Sequence, residues 1–290
     1  NQYGNRNLII NGAMQVAQRG TTFSLTGNGY GQYTLDRWAA YYNYTEVAQL
    51  NAVIDGQYKN YVKISGNVSN NPTNLFFYQK IESGSKLLSG KTFTLSFLAK
   101  SSNNTAVRIR GRFYDSAAET NSVASTISSS ISLTSDWTKY TVTHTATDSS
   151  ANMTRDFFLL FDNVGGSFSS GDDFWLTEIQ LEVGDTATDF EHRTFGDELA
   201  RCQRYYFNSD EADSFIQAFD VTSGNAYYFT IMNPTTMRTG PTITLSNESN
   251  SNFDGITVFR NYATRWSGYD TATGSGRGYW QFEYEADAEL

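Results

Sequence analysis

The stretch from Asp173 to Phe207, DFWLTEIQLEVGDTATDFEHRTFGDELARCQRYYF, decides how this chain is read. Thr177, Ile179, Leu181 and Val183 alternate with Glu178, Gln180 and Glu182, the period of two that gives a strand one buried face. Thr194 and Asp197 then stand at capping-box spacing, with Asp in place of the usual Glu or Gln, and Phe195, Leu199, Cys202 and Tyr206 follow at helical spacing. One β-module closes here, a short helix follows, and a second module begins. The boundaries this implies are a β-sandwich over 1–190, a connecting helix within 191–207 and a smaller distal β-domain over 208–290.

Working outward, the first part repeats the strand pattern. Thr92–Leu98, Val107–Phe113 and Lys139–Thr145 alternate, separated by loops rich in Gly, Asn, Asp and Ser. Phe157–Phe161, FFLLF, lacks alternation, as a strand covered on both faces would. The Ser-rich run Ser122–Ser135 reads as a long loop or an edge strand. Beyond the helix, strand patterns resume at Ser214–Phe219, Tyr227–Met232, Thr242–Leu245, Ile256–Arg260 and Tyr279–Tyr284. The Gly274–Gly278 run leads into a strand pattern rather than a helix N-terminus, so it is a hairpin loop and not a phosphate cradle. Composition agrees: 15% aromatic residues and only 3 prolines in 290 suit an all-β protein with ample core.

Charge narrows the partners. A net charge of -9 and a pI near 4.7 oppose a nucleic-acid backbone or an anionic membrane surface as the main partner. No apolar run is long enough to span a bilayer, and the chain does not open on a signal-peptide pattern. The single cysteine, Cys202, lies on the apolar helix face and reads as a buried thiol. Only His144 and His192 are available for a Ser-His or Cys-His site or for zinc, and each reads as structural. No catalytic residue, metal set or cofactor is therefore assigned, although Asp36, Asp172 and Asp173 offer carboxylates to a hard cation such as calcium.

Two features point to binding. Arg108, Arg110 and Arg112 alternate with Val107, Ile109, Gly111 and Phe113, which sets three guanidinium groups on one strand face. Such a row either grips carboxylated or sulfated sugars or forms a solvated face paired with Asp or Glu on neighbouring strands. The second feature is the aromatic cluster around Arg265, Trp266, Tyr269 and Trp280, where sugar rings would stack; Trp266 sits in a loop-like segment, ATRWSGYD, and is expected to be exposed. The run YYNY, Tyr41–Tyr44, offers another stacking candidate in the first module, with Tyr42 and Tyr44 as its glycan-binding residues.

Several motifs together resemble a known family. RNLIINGAMQVAQRG (Arg6–Gly20), YTLDRW (Tyr33–Trp38), QLEVG with the turn Thr188–Glu191, and ARCQRYY occur in an order that resembles tail-fibre proteins of tailed bacteriophages. GKTFTLSFLAKSS (Gly90–Ser102) and SDWTKYTVT (Ser135–Thr143) resemble carbohydrate-binding jelly rolls, and MRTGPTITL (Met237–Leu245) resembles the distal part of such fibres. The resemblance implies a jelly-roll sandwich in a host-recognition module on the virion that adheres to bacterial surface glycans outside the cell. It also implies a homotrimer with the helix near its axis, and other tail proteins as partners through an attachment region upstream of Asn1. In the sugar-binding jelly rolls the opening motif continues as NG-Phe and an acidic calcium ligand, whereas here Ala13 and Met14 follow Gly12. A structural virion fibre, capsid decoration or tail adaptor without adhesive function and a polysaccharide-cleaving tail protein are the alternatives.

Overall fold

The computed structural model describes residues 6–25, 29–42, 48–53, 60–65, 75–103, 105–114, 122–146, 155–163, 171–209 and 214–289. These form nineteen strands and two helices. The chain divides into two compact units, Asn1–Glu198 and Leu199–Leu290.

The first unit holds β1 (Thr22–Leu25), β2 (Gly29–Tyr33), β3 (Trp38–Tyr42), β4 (Ala48–Val53), β5 (Tyr61–Ser65) and β6 (Leu75–Ile81). After the one-turn helix α1 (Gly84–Leu88) come β7 (Thr92–Ser101), β8 (Ala106–Tyr114), β9 (Ser122–Ser132), β10 (Thr138–Thr145), β11 (Phe157–Asn163) and β12 (Asp173–Val183). They pair into two six-stranded antiparallel sheets, β1-β4-β5-β12-β7-β10 and β2-β3-β6-β11-β8-β9. This is a jelly-roll sandwich. Consecutive strands tend to cross to the opposite sheet, so the inward residues of both sheets meet in one core. Trp38 stacks on Phe77 at 4.7 Å, and Phe97 meets Phe161 edge-on at 5.2 Å. The Ser-rich run is β9, an edge strand of the second sheet.

A buried polar seam ties the N-terminal segment to β12. Asn7 donates to Ile179 O at 3.0 Å, and its Oδ1 accepts from Ile9 N–H at 2.9 Å and Leu181 N–H at 3.0 Å. The Arg193 guanidinium donates to Asn7 O at 2.7 Å and Ile9 O at 3.0 Å and pairs with Glu191 and Glu198. Gly12 is fixed by close approach: a Cβ there would lie 2.2 Å from Ile179 O, at the bulge where Glu178 takes a φ of 48°. The residues that resemble the fibre opening thus staple the module shut.

Helix α2 (Phe195–Gln203) starts at the expected box, with Asp197 N–H donating to Thr194 Oγ1 at 3.2 Å and the Thr194 hydroxyl donating to Asp197 at 2.7 Å. It is shorter than its periodicity suggested, because Tyr206 leaves the helix to begin a strand, and Phe195 faces solvent instead of joining the buried stripe. Cys202 is buried, as read.

The second unit contains β13 (Tyr206–Asn208), β14 (Phe215–Val221), β15 (Ala226–Met232), β16 (Thr242–Ser251), β17 (Thr257–Tyr262), β18 (Arg265–Thr271) and β19 (Gly276–Asp287). β19 pairs with β13, β14 and β16, while β15-β18-β17 forms a separate three-stranded sheet. Trp266, Trp280, Phe282 and Phe229 fill the core between the two.

Candidate functional site

The outward face of the second sheet in the first unit carries the most concentrated chemistry. Register fixes its rows. Tyr41, Phe76, Asp162 and Arg108 lie across β3, β6, β11 and β8; Ala39, Tyr78, Leu160 and Arg110 form the next row, and Lys80, Phe158 and Arg112 the one after. Their chain neighbours, Phe77, Leu159, Phe161, Ile109 and Phe113, point into the core. FFLLF is therefore buried on both faces, as its lack of alternation implied.

This face carries a shallow groove lined by Phe76, Tyr78, Arg110, Arg112, Tyr114 and Phe158. Its rings lie beneath cations. Arg110 stands 4.6 Å from the Phe76 ring centre, and Lys80 Nζ stands 4.6 Å from that of Phe158. Tyr78 stacks on Phe158 at 5.7 Å and Tyr41 on Phe76 at 5.4 Å. Gly111 lets the arginine row lie flat, since a Cβ there would lie 2.7 Å from the Phe157 ring.

Four cationic side chains, Arg108, Arg110, Arg112 and Lys80, face one carboxylate among the described residues pointing outward from β6, β8 and β11. That carboxylate is Asp162. Its Oδ2 accepts from Arg108 Nε at 2.8 Å and pairs with Arg110 at 3.0 Å, while Oδ1 is buried without a hydrogen-bond partner. Burial raises the Asp162 carboxyl above the ordinary carboxylate range, and the two arginines pull it back only in part. Cross-strand pairing and a cationic face, posed as alternatives from the sequence, coexist here.

The other sequence candidates fare differently. Trp266 is 0% exposed and Trp280 1%, so both are core residues and the expected exposure of Trp266 is corrected. ATRWSGYD is not a loop: β18 is the central strand of its sheet, and the inward positions Gly268 and Asp270 hid the alternation. Arg265 and Tyr269 point outward from the same strand, exposed and half-buried respectively. Tyr42 ends β3 with its side chain outside the described residues, and Tyr44 lies outside them altogether. The tyrosine of that run that packs on a groove residue is Tyr41, which stacks on Phe76.

His144 shares Ser125 Oγ at 2.7 Å and packs 5.5 Å from Phe93, and burial lowers its pKa. Asp36 accepts from Gln18 N–H at 2.6 Å and from Gln18 Nε2 at 2.5 Å. Among the described residues no group of three or more His, Cys, Asp or Glu side chains is placed to hold a metal ion. No helix among them is long and apolar enough to cross a membrane.

No protein-family model and no curated protein matches the chain. Carbohydrate-binding modules and a tailspike are among its structural neighbours. A CBM4 module is 18% identical and covers 51% of this chain and 95% of its own, at a TM-score of 0.34. The CBM22-1 xylan-binding domain from Paenibacillus barcinonensis is 9% identical over 62% of this chain and 96% of its own, at 0.35. The enzymatically active domain of tailspike protein 4 of bacteriophage CBA120 is 15% identical over 62% of this chain but only 22% of its own, at 0.38. Likeness at these scores carries no argument, and the sandwich stands on its own strand order and register.

Phe76, Tyr78, Lys80, Tyr114, Phe158 and Asp162 were missed as site residues. The signal was present in LFFYQKI and FFLLFDN, where residues of both parities are apolar or aromatic, so that each strand needs cover on two sides.

Proposed function

We propose that the first unit binds glycans along the groove, with a preference for sugars bearing carboxylate or sulfate. The observation that carries this is the arginine row Arg108, Arg110 and Arg112 set beside the rings of Phe76 and Phe158 on one sheet face. Planar guanidinium groups take up two anionic oxygens at once, and the buried rings beneath Arg110 and Lys80 hold those cations in place for a ligand. The wider role we assign is adhesion by the receptor-binding part of a phage tail fibre, acting outside the cell. In that role further copies of the chain, as a trimer, and other tail proteins are its partners; the sequence resemblance supports this setting. Repetition in an oligomer would turn weak single contacts into firm attachment.

A structural fibre is the second reading, favoured by one observation: Asp162 already answers Arg108 and Arg110, so the face is satisfied internally in part. Cleavage is the third, and two-carboxylate hydrolysis would need an acid besides Asp162. The full chain, incubated with bacterial surface polysaccharides, is expected to be retained without releasing new reducing ends, and Arg112→Ala is expected to weaken retention about tenfold. Retention unchanged by Arg112→Ala would remove the groove from the binding, and absence of retention on the host's own polysaccharide would leave the structural fibre. Fresh reducing ends would make the chain an enzyme.

A further inference from the structure

We infer that the outward face of the β15-β18-β17 sheet is a second platform for an acidic glycan, built independently of the groove. Its rows follow from register: Tyr228, Tyr269 and Thr257; then Thr230, Ser267 and Arg260; then Met232, Arg265 and Tyr262. Tyr228 is 65% exposed, stacks on Tyr269 at 5.4 Å and meets Phe259 edge-on at 5.8 Å. Phe259 closes the triangle against Tyr269 at 5.7 Å. Aromatic rings held against one another are already ordered, so a ligand that meets them pays little further ordering cost.

Two arginines frame the rings. Arg260 stands 5.3 Å from the Phe259 ring centre and Arg265 stands 5.6 Å from that of Tyr262. Both are exposed, and among the described residues neither pairs with a carboxylate, in a chain whose net charge is -9. The acidic side chains of β19, Glu283, Glu285 and Asp287, lie on the other sheet of the unit. Segregated in this way, the guanidinium groups remain available to an anion from outside.

Hydroxyl groups decide between a sugar and an apolar protein surface. Tyr228, Tyr262 and Tyr269 carry phenols, and Thr230 and Ser267 share a hydrogen bond of 2.9 Å in the middle row. A face of rings, hydroxyls and unpaired guanidinium groups matches a chain of uronic acids, whose C–H faces stack and whose carboxylates take forked hydrogen bonds. The reading of the first unit as a glycan binder supplies the ligand class; the residues are separate.

The test is calorimetric titration of the full chain with an oligogalacturonate, with its methyl-esterified form as the neutral control. Tyr228→Ala and Arg265→Ala are each expected to weaken one class of binding about tenfold and Tyr228→Phe, which keeps the ring and loses the hydroxyl, by less, with the melting temperature unchanged. Arg112→Ala, in the groove, should leave that class intact. Loss confined to Arg112→Ala would overturn the platform and keep the groove. Loss confined to Tyr228→Ala and Arg265→Ala would keep the platform and remove the groove as an acidic-glycan site. Failure of the oligogalacturonate to bind, or binding equal to that of the ester, would overturn the platform. A concentration-dependent mass in light scattering that Tyr228→Ala abolishes would give the face to a second copy of the chain and overturn it as well.

Discussion

Two sheet faces in this protein are made of the same ingredients and finished in opposite ways. In the groove of the first unit, the rings of Phe76 and Phe158 are buried beneath Arg110 and Lys80, and a buried Asp162 fastens Arg108 and Arg110 in place. On the platform of the second unit, Tyr228 and Met232 are about two-thirds exposed, and Arg260 and Arg265 lean on rings without an acidic partner. The first arrangement is preorganised and holds its cations against a competing internal anion. The second leaves its cations unopposed and its rings wet. Arginine beside aromatics is thus not one kind of site: what the guanidinium already touches determines how much binding energy remains for a ligand.

Mutation can break this contrast. The largest effect is expected in the second unit, where Trp266→Ala should cost about 3–5 kcal/mol, because it empties a fully buried site against Phe229 and Tyr284. Tyr228→Ala, one strand away on the exposed face, should stay within about 0.5 kcal/mol. Urea unfolding measures both, and comparable losses would show that the platform is core. In the first unit, Arg193→Ala should cost about 3–5 kcal/mol by leaving the buried Glu198 and the half-buried Glu191 without their cation. Calorimetry should place that loss in one transition and leave the second unit's melting in place; a single shifted transition would mean that the units unfold together.

Smaller effects sharpen the account of the groove. Asp162→Asn removes the internal competitor and is expected to raise affinity for a sulfated glycan about threefold to tenfold, read by titration. Acidification should act in the same direction on the natural protein. The folded-state pKa of Asp162 is raised above its unfolded value, so the cost of burying its charge is present above the folded pKa and is relieved as pH falls through it. Protonation then frees Arg108 and Arg110, while a sulfate ligand stays ionised; in Asp162→Asn this pH dependence should vanish. The smallest effect concerns His144, whose pKa burial lowers from the usual 6.5. The unfolded chain takes up that proton first, so stability should slip as pH falls below about 6.5, and His144→Gln should remove that slope.

Much of the scaffold was legible in residue patterns. Alternation located β7, β8, β10 and β12, the apolar run located β11, and the Thr194–Asp197 spacing located the start of α2. Errors arose where a strand hides its parity. β18 reads as a loop because Gly268 and Asp270 occupy inward positions, and that single misreading put Trp266 on the surface. The groove was half visible. Arg108, Arg110 and Arg112 announced their shared face, but their partners Asp162, Phe76 and Phe158 come from strands far away in sequence, which only pairing brings alongside.

The sequence by itself determined the class of the protein: an acidic, aromatic-rich all-β chain of short alternating strands, with a capped helix after β12, because burial of one strand face and capping of a helix are local requirements written at fixed spacings. Only the tertiary structure decided which aromatics are core and which are surface, and which acid answers which arginine. Register between distant strands sets those neighbours, and a shift of a single residue would turn each side chain to the other face.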